Sequence, residues 1–470
     1  MRWSGWGVLW SVTVADAYFE RFPVNIYIKT YGCQMNGRDS EALAGMLASR
    51  GHRITASEEE ADVMIFNTCS VRDQAERKAV GKISFMKKYK LKKPGLIIGV
   101  TGCMAERRGK SLLELLPHLD FVIGTGKLHT LPDCVERLAK TRTRFSDTGP
   151  NPDVLTGMGA HFRPEGAADV LGQIAITRGC NRFCSYCIVP YVRGREISRT
   201  AEDILSEARL LVADGVREIL LLGQNVAAYG LNGITAAPEP ENSPFADLLR
   251  DLAAIDGLHR IRFTSPYPTY FNDKLIRVMA ERPEICRNVH LPLQSGSERI
   301  LKKMNRQYTP DGYREIAGKL RSAMPDITFS TDVIVGFPGE TEEDFQATRD
   351  LMNEIAFDQS FIFKYSPRPG AKSASEPDSV PQSVKEERNQ ILLADLAART
   401  EKTMAGLVGS VQEILAEGVS RRMPGRWTGR TGGNRTVHFV PPESMKRGDL
   451  AKVRILRAGR VSLFGEVTEE

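Results

Sequence analysis

A regular alternation of strand-like and helix-like segments runs through most of this chain of 470 residues and constrains its fold more than any other feature. Between Val24 and Lys140, four short apolar runs are each followed by a helix-like segment. Strands that alternate with helices form parallel sheets, because parallel neighbours need a long crossover connection. We therefore predict a doubly wound parallel α/β domain over residues 24–145. We expect the extension over residues 1–23 that precedes it to be disordered.

The alternation resumes after residues 146–168, which are rich in Gly, Pro, Asp and Thr and are typical of a linker. Six strand candidates follow, each separated from the next by a helical pattern: Gln173–Thr177, Glu218–Gly223, Arg260–Thr264, Val289–Leu293, Phe329–Val335 and Ser360–Tyr365. Six βα units predict a partial (βα)6 barrel over residues 169–402. Short β-rich runs broken by Gly and Pro then predict a small all-β domain over residues 403–470.

Composition and charge exclude some classes of protein. No run reaches the roughly 18 to 20 apolar residues of a membrane-spanning helix, so no membrane association is expected. The aromatic and apolar N-terminal segment resembles a secretory signal peptide only weakly, because Gly and Ser interrupt its apolar stretch. We therefore expect a cytoplasmic protein. The last 70 residues hold 12 Lys and Arg against 8 Asp and Glu, a surplus that suggests a nucleic-acid partner.

Three cysteines lie within eight residues, in Cys180-Asn-Arg-Phe-Cys184-Ser-Tyr-Cys187. This loop follows the first predicted barrel strand, where active sites of βα barrels lie. Three thiolates from one tight loop can hold three irons of a four-iron cluster and leave the fourth iron open to a small ligand. Zinc or three merely buried thiols are the alternatives. Zinc would require a fourth ligand, and His is scarce nearby.

A second set of cysteines is dispersed along the first domain. Cys33, Cys69 and Cys103 are 36 and 34 residues apart, about one βα unit each, and each follows a predicted strand. Ligands of open parallel sheets collect beyond the carboxyl ends of the strands, so these thiols can meet there. A second cluster is therefore favoured over three unrelated buried thiols. Cys134 and Cys286 match no motif and are expected in the core.

The compact cysteine loop, with an aromatic Tyr186 before its last cysteine, resembles that of the radical S-adenosylmethionine superfamily. The resemblance implies that the open iron binds S-adenosylmethionine and that Cys180, Cys184 and Cys187 are catalytic. Stretches at the ends of later strands resemble the superfamily's cofactor loops: Leu222–Asn225, Gln294–Ser297 and Val335–Gly339. The cofactor-binding residues implied are Tyr186, Gly223, Gln224, Asn225, Ser295 and Gly296.

A closer resemblance covers about Val24 to Val467. The sequences Tyr31-Gly-Cys-Gln-Met-Asn36, Asn67-Thr-Cys-Ser-Val-Arg72 and Gly102-Cys-Met-Ala105 resemble the MiaB-type tRNA methylthiotransferases, and the final β-rich region resembles a TRAM domain. The resemblance implies two [4Fe-4S] clusters and two S-adenosylmethionine molecules. It implies that one S-adenosylmethionine molecule is cleaved to a radical. The other S-adenosylmethionine molecule methylates a sulfur of the auxiliary cluster on Cys33, Cys69 and Cys103. The product would carry a methylthio group on carbon-2 of isopentenyl-adenosine at position 37 of tRNA.

The resemblance and the basic C-terminal region also imply partners. Arg426, Arg430 and Arg435 are candidate RNA contacts on the β domain, because arginines bind phosphates and aromatic residues between them can stack on bases. The target base must leave its stack, which is easiest in a single-stranded anticodon loop. We also expect a low-potential electron donor protein, a sulfur donor or cluster-repair system, and a monomeric chain.

Three alternatives stay open at this point. Relatives of the same fold methylthiolate threonylcarbamoyl-adenosine in tRNA or an aspartate of a ribosomal protein. The Gln-Met-Asn after Cys33 and the Ser-Val-Arg after Cys69 resemble the isopentenyl-adenosine enzymes more than either. A non-enzymatic alternative is an RNA-binding protein that uses its clusters as structural supports or redox sensors. The open fourth iron argues against that alternative.

Overall fold

A computed structural model describes residues 23–71, 73–164, 169–231, 233 and 236–469. The chain divides into two compact units, Met1–Arg163 and Pro164–Glu470. The predicted N-terminal extension lies outside the described residues except for residue 23, as do residues 165–168 of the predicted linker. Among the described residues, no helix is long and apolar enough to cross a membrane.

The first unit contains one six-stranded sheet in the order β2-β1-β3-β4-β5-β6, with every neighbouring pair parallel. Its strands are β1 Asn25–Thr30, β2 Arg53–Thr55, β3 Val63–Thr68, β4 Ile97–Gly102, β5 Phe121–Ile123 and β6 Phe145–Asp147. Its helices are α1 Gln34–Ser49, α2 Asp73–Phe85, α3 Lys87–Lys92, α4 Cys103–Arg108, α5 Lys110–Leu115 and α6 Leu131–Thr141.

Both faces of this sheet are covered, which explains why its central strands β3 and β4 are buried at every position. On β3, Met64 and Phe66 contribute to one hydrophobic core, whereas Val63 and Ile65 contribute to another. Successive side chains of a strand point to opposite faces, so the two cores lie on the two sides of the sheet. The predicted doubly wound parallel α/β domain is confirmed.

The second unit begins with six parallel strands in two groups of three, in the orders β11-β10-β7 and β12-β13-β14. A parallel bridge between Ile261 and Ile285 joins the two groups. These strands are β7 Leu171–Ala175, β10 Glu218–Leu222, β11 Arg260–Phe263, β12 Asn288–His290, β13 Thr328–Val335 and β14 Gln359–Lys364. A short ribbon pairs β8 Thr177–Arg178 with β9 Ile197–Ser198. The predicted partial (βα)6 barrel is confirmed.

The helices of this barrel are α7 Val189–Arg193, α8 Ala201–Ala213, α9 Pro244–Ala253, α10 Asp273–Glu281, α11 Glu298–Lys303, α12 Pro310–Ala323, α13 Glu342–Ile355 and α14 Gln382–Ala405. Two of these helices have well-formed N-terminal caps. The Thr200 side chain accepts a hydrogen bond from the Asp203 backbone, and Thr341 and Asp344 form a reciprocal capping box. Such caps fix where each helix begins and therefore where the preceding loop ends.

Five strands form the closed C-terminal barrel in the order β15-β16-β17-β19-β18. Their neighbouring pairs are antiparallel except for β17 and β19, which are parallel. They are β15 Val411–Val419, β16 Trp427–Thr431, β17 Thr436–Phe439, β18 Leu450–Ala458 and β19 Ser462–Thr468. The predicted small all-β domain is confirmed. Closure removes exposed strand edges, which would otherwise pair with other chains.

The loop between β16 and β17 attaches this small barrel to the amino ends of the (βα)6 strands. Arg262, on β11, donates to the Thr431 carbonyl at 2.7 Å and to the Gly432 carbonyl at 2.9 Å. The Arg435 guanidinium pairs with Asp358, just before β14, at 2.5 Å. The six parallel strands of the (βα)6 barrel form an open arc. The loop between β16 and β17 therefore closes this strand arc at the amino ends of its strands.

Candidate metal centres

The dispersed cysteines lie at the carboxyl ends of three neighbouring strands. Cys33 follows β1, Cys69 directly follows β3, and Cys103 directly follows β4. The strand order places β1, β3 and β4 side by side. Adjacent strands are about 4.8 Å apart, so the three thiols share one edge of the sheet.

Two glycines bring the cysteine-bearing loops into direct contact. A Cβ added to Gly32 would lie 2.4 Å from the Cβ of Cys69, and a Cβ added to Gly102 would lie 2.4 Å from the Thr68 carbonyl oxygen. Gly102 also has a φ of +92°, which favours glycine. Only residues without a side chain allow the three loops to approach so closely.

Asn36 and Asn67 connect these loops through buried hydrogen bonds. Asn36 donates to the Tyr31 carbonyl at 2.9 Å and to the Thr68 carbonyl at 3.0 Å. Asn67 donates to the Asn36 carbonyl at 2.9 Å. Cys69 and Cys103 are each 1% exposed, whereas Cys33 is exposed. The Val71 backbone N–H donates to the Cys69 sulfur at 3.3 Å, a contact suited to a ligating thiolate.

The compact cysteine triad lies at the carboxyl end of β7, in a loop held at both ends. The Cys180 N–H donates to the Gly194 carbonyl at 3.1 Å, and the Cys187 N–H donates to the Cys184 carbonyl at 2.9 Å. Gly179 has a φ of +81°, and a Cβ there would lie 2.0 Å from the Arg195 carbonyl oxygen. The loop thus curls back on itself through a position that requires glycine.

Cys184 is buried and Cys180 and Cys187 are half-buried, and the three thiols lie near one another. Burial raises the pKa of the Cys180 thiol to about 11, and burial together with the Cys184 thiol also raises the pKa of Cys187. Such thiols keep their protons near neutral pH until a metal displaces them. None of the eight cysteines, all of which are described, forms a disulfide.

Three residues that the sequence analysis missed support this loop from outside. The Arg306 guanidinium donates to the Cys184 sulfur at 3.4 Å. The guanidinium carbon of Arg306 lies 4.2 Å from the ring centre of Tyr267, and the guanidinium carbon of Arg182 lies 3.9 Å from the same ring centre. Tyr308 completes the group, because its hydroxyl accepts from Arg306 at 2.9 Å and donates to the Leu293 carbonyl at 2.8 Å. No sequence signal marks Arg306, which lies 122 residues beyond Cys184.

The residues implied as cofactor-binding occupy two different settings. Gln224 accepts a hydrogen bond from the Gly179 N–H at 2.5 Å, so it fixes the start of the cysteine loop. Asn225 accepts from the Tyr267 N–H at 3.0 Å, and Gly223 packs against Thr177. In the described part of the chain, the buried Asn225 Nδ2 and Thr177 Oγ1 have no hydrogen-bond partner. Two polar groups are thus available to a ligand at this end of the barrel.

The other three residues, Ser295, Gly296 and Tyr186, contact neighbouring parts of the protein. The hydroxyl of Ser295 lies 3.2 Å from that of Thr348, on α13, and the Gly296 N–H donates to the same hydroxyl at 2.9 Å. Tyr186 packs against the small hydrophobic cluster that contains Phe337 and Tyr365. Their cofactor role stays a prediction.

The donor sets fit iron-sulfur clusters. In the ranges that the structure describes, no three His, Cys, Asp or Glu side chains are close enough to hold a single metal ion. A four-iron cluster does not require such closeness, because each thiolate binds a different iron. The two sets of three thiols, the N–H and guanidinium groups directed at sulfur, and the two polar groups without partners among the described residues suit clusters with a small polar ligand.

The three arginines expected to bind RNA also differ in their surroundings. Arg435 pairs with Asp358, and Arg430 contacts Glu417 at 2.8 Å and Asn434 at 3.0 Å. Arg426 is half-buried near His438, whose ring stacks on Phe464 at 5.3 Å. Two of the three therefore have partners within the chain, and their role as RNA contacts stays a prediction.

Comparisons with known proteins agree with this architecture. Residues 25–124 match the uncharacterized protein family UPF0004, residues 174–352 match the radical SAM superfamily, and residues 406–468 match the TRAM domain. Among solved structures, the radical S-adenosylmethionine methyltransferase TsrM from Kitasatospora setae is similar in fold, with a TM-score of 0.58 at 13% identity, covering 84% of this chain and 79% of that one. The fold and the cysteine loop thus define a radical S-adenosylmethionine protein.

Curated relatives narrow this class. The chain is 44% identical to the tRNA-2-methylthio-N(6)-dimethylallyladenosine synthase of Opitutus terrae, covering 94% of this chain and 97% of that protein. It is 45% identical to the protein of the same name from Geotalea uraniireducens, covering 94% and 98%. The chain belongs to the tRNA-2-methylthio-N(6)-dimethylallyladenosine synthase family. The resemblance to MiaB-type tRNA methylthiotransferases is confirmed.

Proposed function

We propose that this chain is a radical S-adenosylmethionine enzyme that methylthiolates carbon-2 of N6-isopentenyl-adenosine at position 37 of tRNA. The observation that carries the proposal is the identity of 44–45% with enzymes of that name over nearly the whole chain. Both cysteine triads lie within this matched length, and both lie at the carboxyl ends of parallel strands.

The proposed cofactors are S-adenosylmethionine and two [4Fe-4S] clusters. Cys180, Cys184 and Cys187 would hold the cluster that binds S-adenosylmethionine, and Cys33, Cys69 and Cys103 would hold the auxiliary cluster. When bound, these groups supply a carbon-centred radical and a sulfur that can be methylated, with two S-adenosylmethionine molecules used. The C–H bond at carbon-2 of adenine is too weakly acidic for acid–base chemistry, so a radical cofactor is needed.

The chain's own residues orient these groups and exclude water. Gln224 fixes the start of the cysteine loop through Gly179, and the Arg306 guanidinium donates to the Cys184 sulfur. The Nδ2 of Asn225 is available as a donor to a carboxylate or hydroxyl of the cofactor. Each contact holds a group before reaction, which lowers the cost of reaching the reactive geometry.

The substrate base must leave its stack to reach a barrel, which favours a single-stranded anticodon loop. We propose Arg426, Arg430 and Arg435 as RNA contacts, of which Arg430 and Arg435 would have to exchange partners in the chain for phosphate. A low-potential electron donor, a sulfur donor or cluster-repair system, a monomeric state and a cytoplasmic location complete the proposal, the last because tRNA maturation takes place there.

Mass spectrometry of tRNA nucleosides from a strain lacking this gene tests the substrate. We expect the methylthio form of isopentenyl-adenosine to disappear and isopentenyl-adenosine to accumulate. The wild-type gene should restore the product, and a Cys184→Ala gene should not. Persistence of the methylthio form in the deletion strain would contradict the proposal. Loss of methylthio-threonylcarbamoyl-adenosine instead would assign the chain to the alternative tRNA substrate.

A further inference from the structure

The inner face of the (βα)6 strand arc carries two exposed aromatic side chains that the proposed chemistry does not use. Phe361 and Phe363 lie two residues apart on β14 and are 51% and 41% exposed. Residues two apart on a strand point to the same face. Two large exposed aromatic side chains on one face of a strand form an apolar surface that usually has a ligand.

The strand register identifies this face as the inner one. Phe361 pairs with Asp332, and His290 pairs with Ser330, so these side chains share a face of the sheet. The opposite face carries Val289, Phe329 and Val333, which belong to the hydrophobic core beneath the helices. Phe361 and Phe363 therefore face the interior of the arc.

A group of three polar residues, His290, Ser330 and Asp332, borders this aromatic surface. The His290 ring lies 3.0 Å from the Ser330 hydroxyl through Nδ1 and 3.2 Å from the Asp332 carboxylate through Nε2. Its centre is 6.1 Å from the centre of the Phe361 ring, at an interplanar angle of 62°. Contacts at both ring nitrogens hold the imidazole in place, so the wall beside Phe361 is preformed.

The position along the strands places this wall close to the cysteine loop. His290 lies two residues before Pro292, whose carbonyl accepts from Arg306, and Arg306 contacts Cys184. Two strand residues span about 7 Å. At the opposite end, Arg262 is engaged with the loop that follows β16. A group seated against Phe361 would thus lie between the closed end of the arc and the cysteine loop.

We propose that Phe361 and Phe363 bind the five-carbon apolar substituent on N6 of the substrate adenine. This inference rests on the proposed function and names the residues that select its substrate. The aromatic wall suits a branched hydrocarbon, whereas Asp332, with 32% of its side chain exposed, repels a substituent that bears a carboxylate. A threonylcarbamoyl group bears such a carboxylate, so the same wall disfavours it.

Equilibrium binding of short anticodon stem-loop RNAs to the reconstituted full chain tests the proposal. The RNAs carry isopentenyl-adenosine, unmodified adenosine or threonylcarbamoyl-adenosine at the same position. For the wild-type protein we expect the isopentenyl RNA to bind at least about tenfold more tightly than the unmodified RNA, as burial of a five-carbon group implies. Phe361→Ala should reduce this ratio to about threefold or less, and Phe361→Leu should keep most of it.

A matched control is Phe85→Ala, because Phe85 is 52% exposed but lies on α2 of the first unit. It should leave the ratio as in the wild type, and melting curves should show that each variant is folded. Asp332→Asn should raise the affinity for the threonylcarbamoyl RNA by about threefold or more, because a carboxylate is removed. An unchanged ratio in folded Phe361→Ala, or no gain with Asp332→Asn, overturns the proposal.

The same preparations separate this inference from the proposed function. Equal wild-type affinities for all three RNAs, together with methylthio product from the isopentenyl RNA, overturn the aromatic site and leave the function standing. Absence of any methylthio product from the isopentenyl RNA refutes the function itself, and with it the inference.

Discussion

The two cysteine triads are built in opposite ways. Cys180, Cys184 and Cys187 belong to one loop of eight residues, so their proximity follows from the local sequence, although Gly194 and Gln224 help to hold the loop in place. Cys33, Cys69 and Cys103 come together only because β1, β3 and β4 are neighbours in the sheet. The first site is a property of a local sequence, and the second is a property of a topology. The two sites should therefore respond differently to mutation.

The largest effect is expected for Cys184→Ala. Loss of one of three thiolates should remove the cluster of the barrel, so iron should fall from about eight atoms per chain to about four. Formation of 5′-deoxyadenosine should fall by a factor of about a thousand or more, since the open iron would be lost. Iron and sulfide analysis and chromatography of the nucleoside measure both. Deoxyadenosine at the wild-type rate would exclude the assignment of the compact triad.

Cys103→Ala should separate the two sites. We expect iron to fall again to about four atoms per chain, but S-adenosylmethionine cleavage should continue at a substantial rate. Methylthio product on RNA should be absent, because the proposed auxiliary cluster would carry the sulfur that is methylated. The comparison with Cys184→Ala is the control. If both variants lost the same cluster and the same activities, the division into two sites would be wrong.

Alanine at Gly102 and at Gly179 should distinguish the topological site from the local one. Gly102→Ala introduces a Cβ 2.4 Å from the Thr68 carbonyl oxygen in the middle of the sheet edge, and we expect about 2–4 kcal/mol of lost stability in the first unit. Gly179→Ala, with its Cβ 2.0 Å from the Arg195 carbonyl oxygen, should disrupt the cysteine loop and destabilise the second unit, with loss of the barrel cluster and no change in the first unit. Denaturant unfolding and iron content report the two effects.

Gly81→Ala and Gly318→Ala are the matched controls for these substitutions. Both glycines are helical, and a Cβ at either would meet nothing within 4 Å. Alanine there should change stability by about 1 kcal/mol or less, in the favourable direction. A similar loss of stability at Gly102 and Gly81 would contradict the close approach of the loops.

The smallest effect is expected for Arg306→Lys. The substitution keeps a positive charge but removes the planar guanidinium that contacts both Cys184 and Tyr267. We expect a lower yield of the barrel cluster on reconstitution and an altered electron paramagnetic resonance signal of its reduced form. The auxiliary cluster should be unchanged. Identical spectra and yields in the wild type and the variant would show that Arg306 does not act on the loop.

The same contrast explains what the sequence could predict. The spacing of Cys180, Cys184 and Cys187 is sufficient to predict a shared site, because eight residues cannot place three thiols far apart. The dispersed triad needed a strand assignment as well, and that succeeded because β3 and β4 each begin with a short run of mostly apolar residues. Strong local patterns thus located both sites.

Weaker patterns were missed. The edge strands β2 and β6 have three residues each, too few for a clear period. Strand β16, Trp-Thr-Gly-Arg-Thr, has polar residues and a glycine where a strand pattern would be apolar. Helix α1 begins at Gln34, directly after Cys33, and its first turn buries Met35 and Asn36 at the cysteine edge. Such features depend on tertiary packing that no local pattern encodes.

The supporting residues of the sites were also beyond sequence reasoning. Arg306 and Tyr267 meet Cys184 and Arg182 across long stretches of chain, and nothing in their neighbourhood suggests it. Phe361 and Phe363 read as ordinary strand residues, and only their exposure on the inner face distinguishes them. Contacts between distant segments therefore account for most of what the sequence left undetected.

The central claim is that one chain holds two clusters with separate roles. Mössbauer spectroscopy with iron and sulfide analysis of anaerobically reconstituted protein tests it most directly, on the wild type and on variants that lack all three cysteines of one triad. We predict about eight irons and eight sulfides in the wild type and about four of each in either triple variant, all as [4Fe-4S] clusters. About four irons in the wild type, or no loss when Cys33, Cys69 and Cys103 are all replaced, would contradict the account.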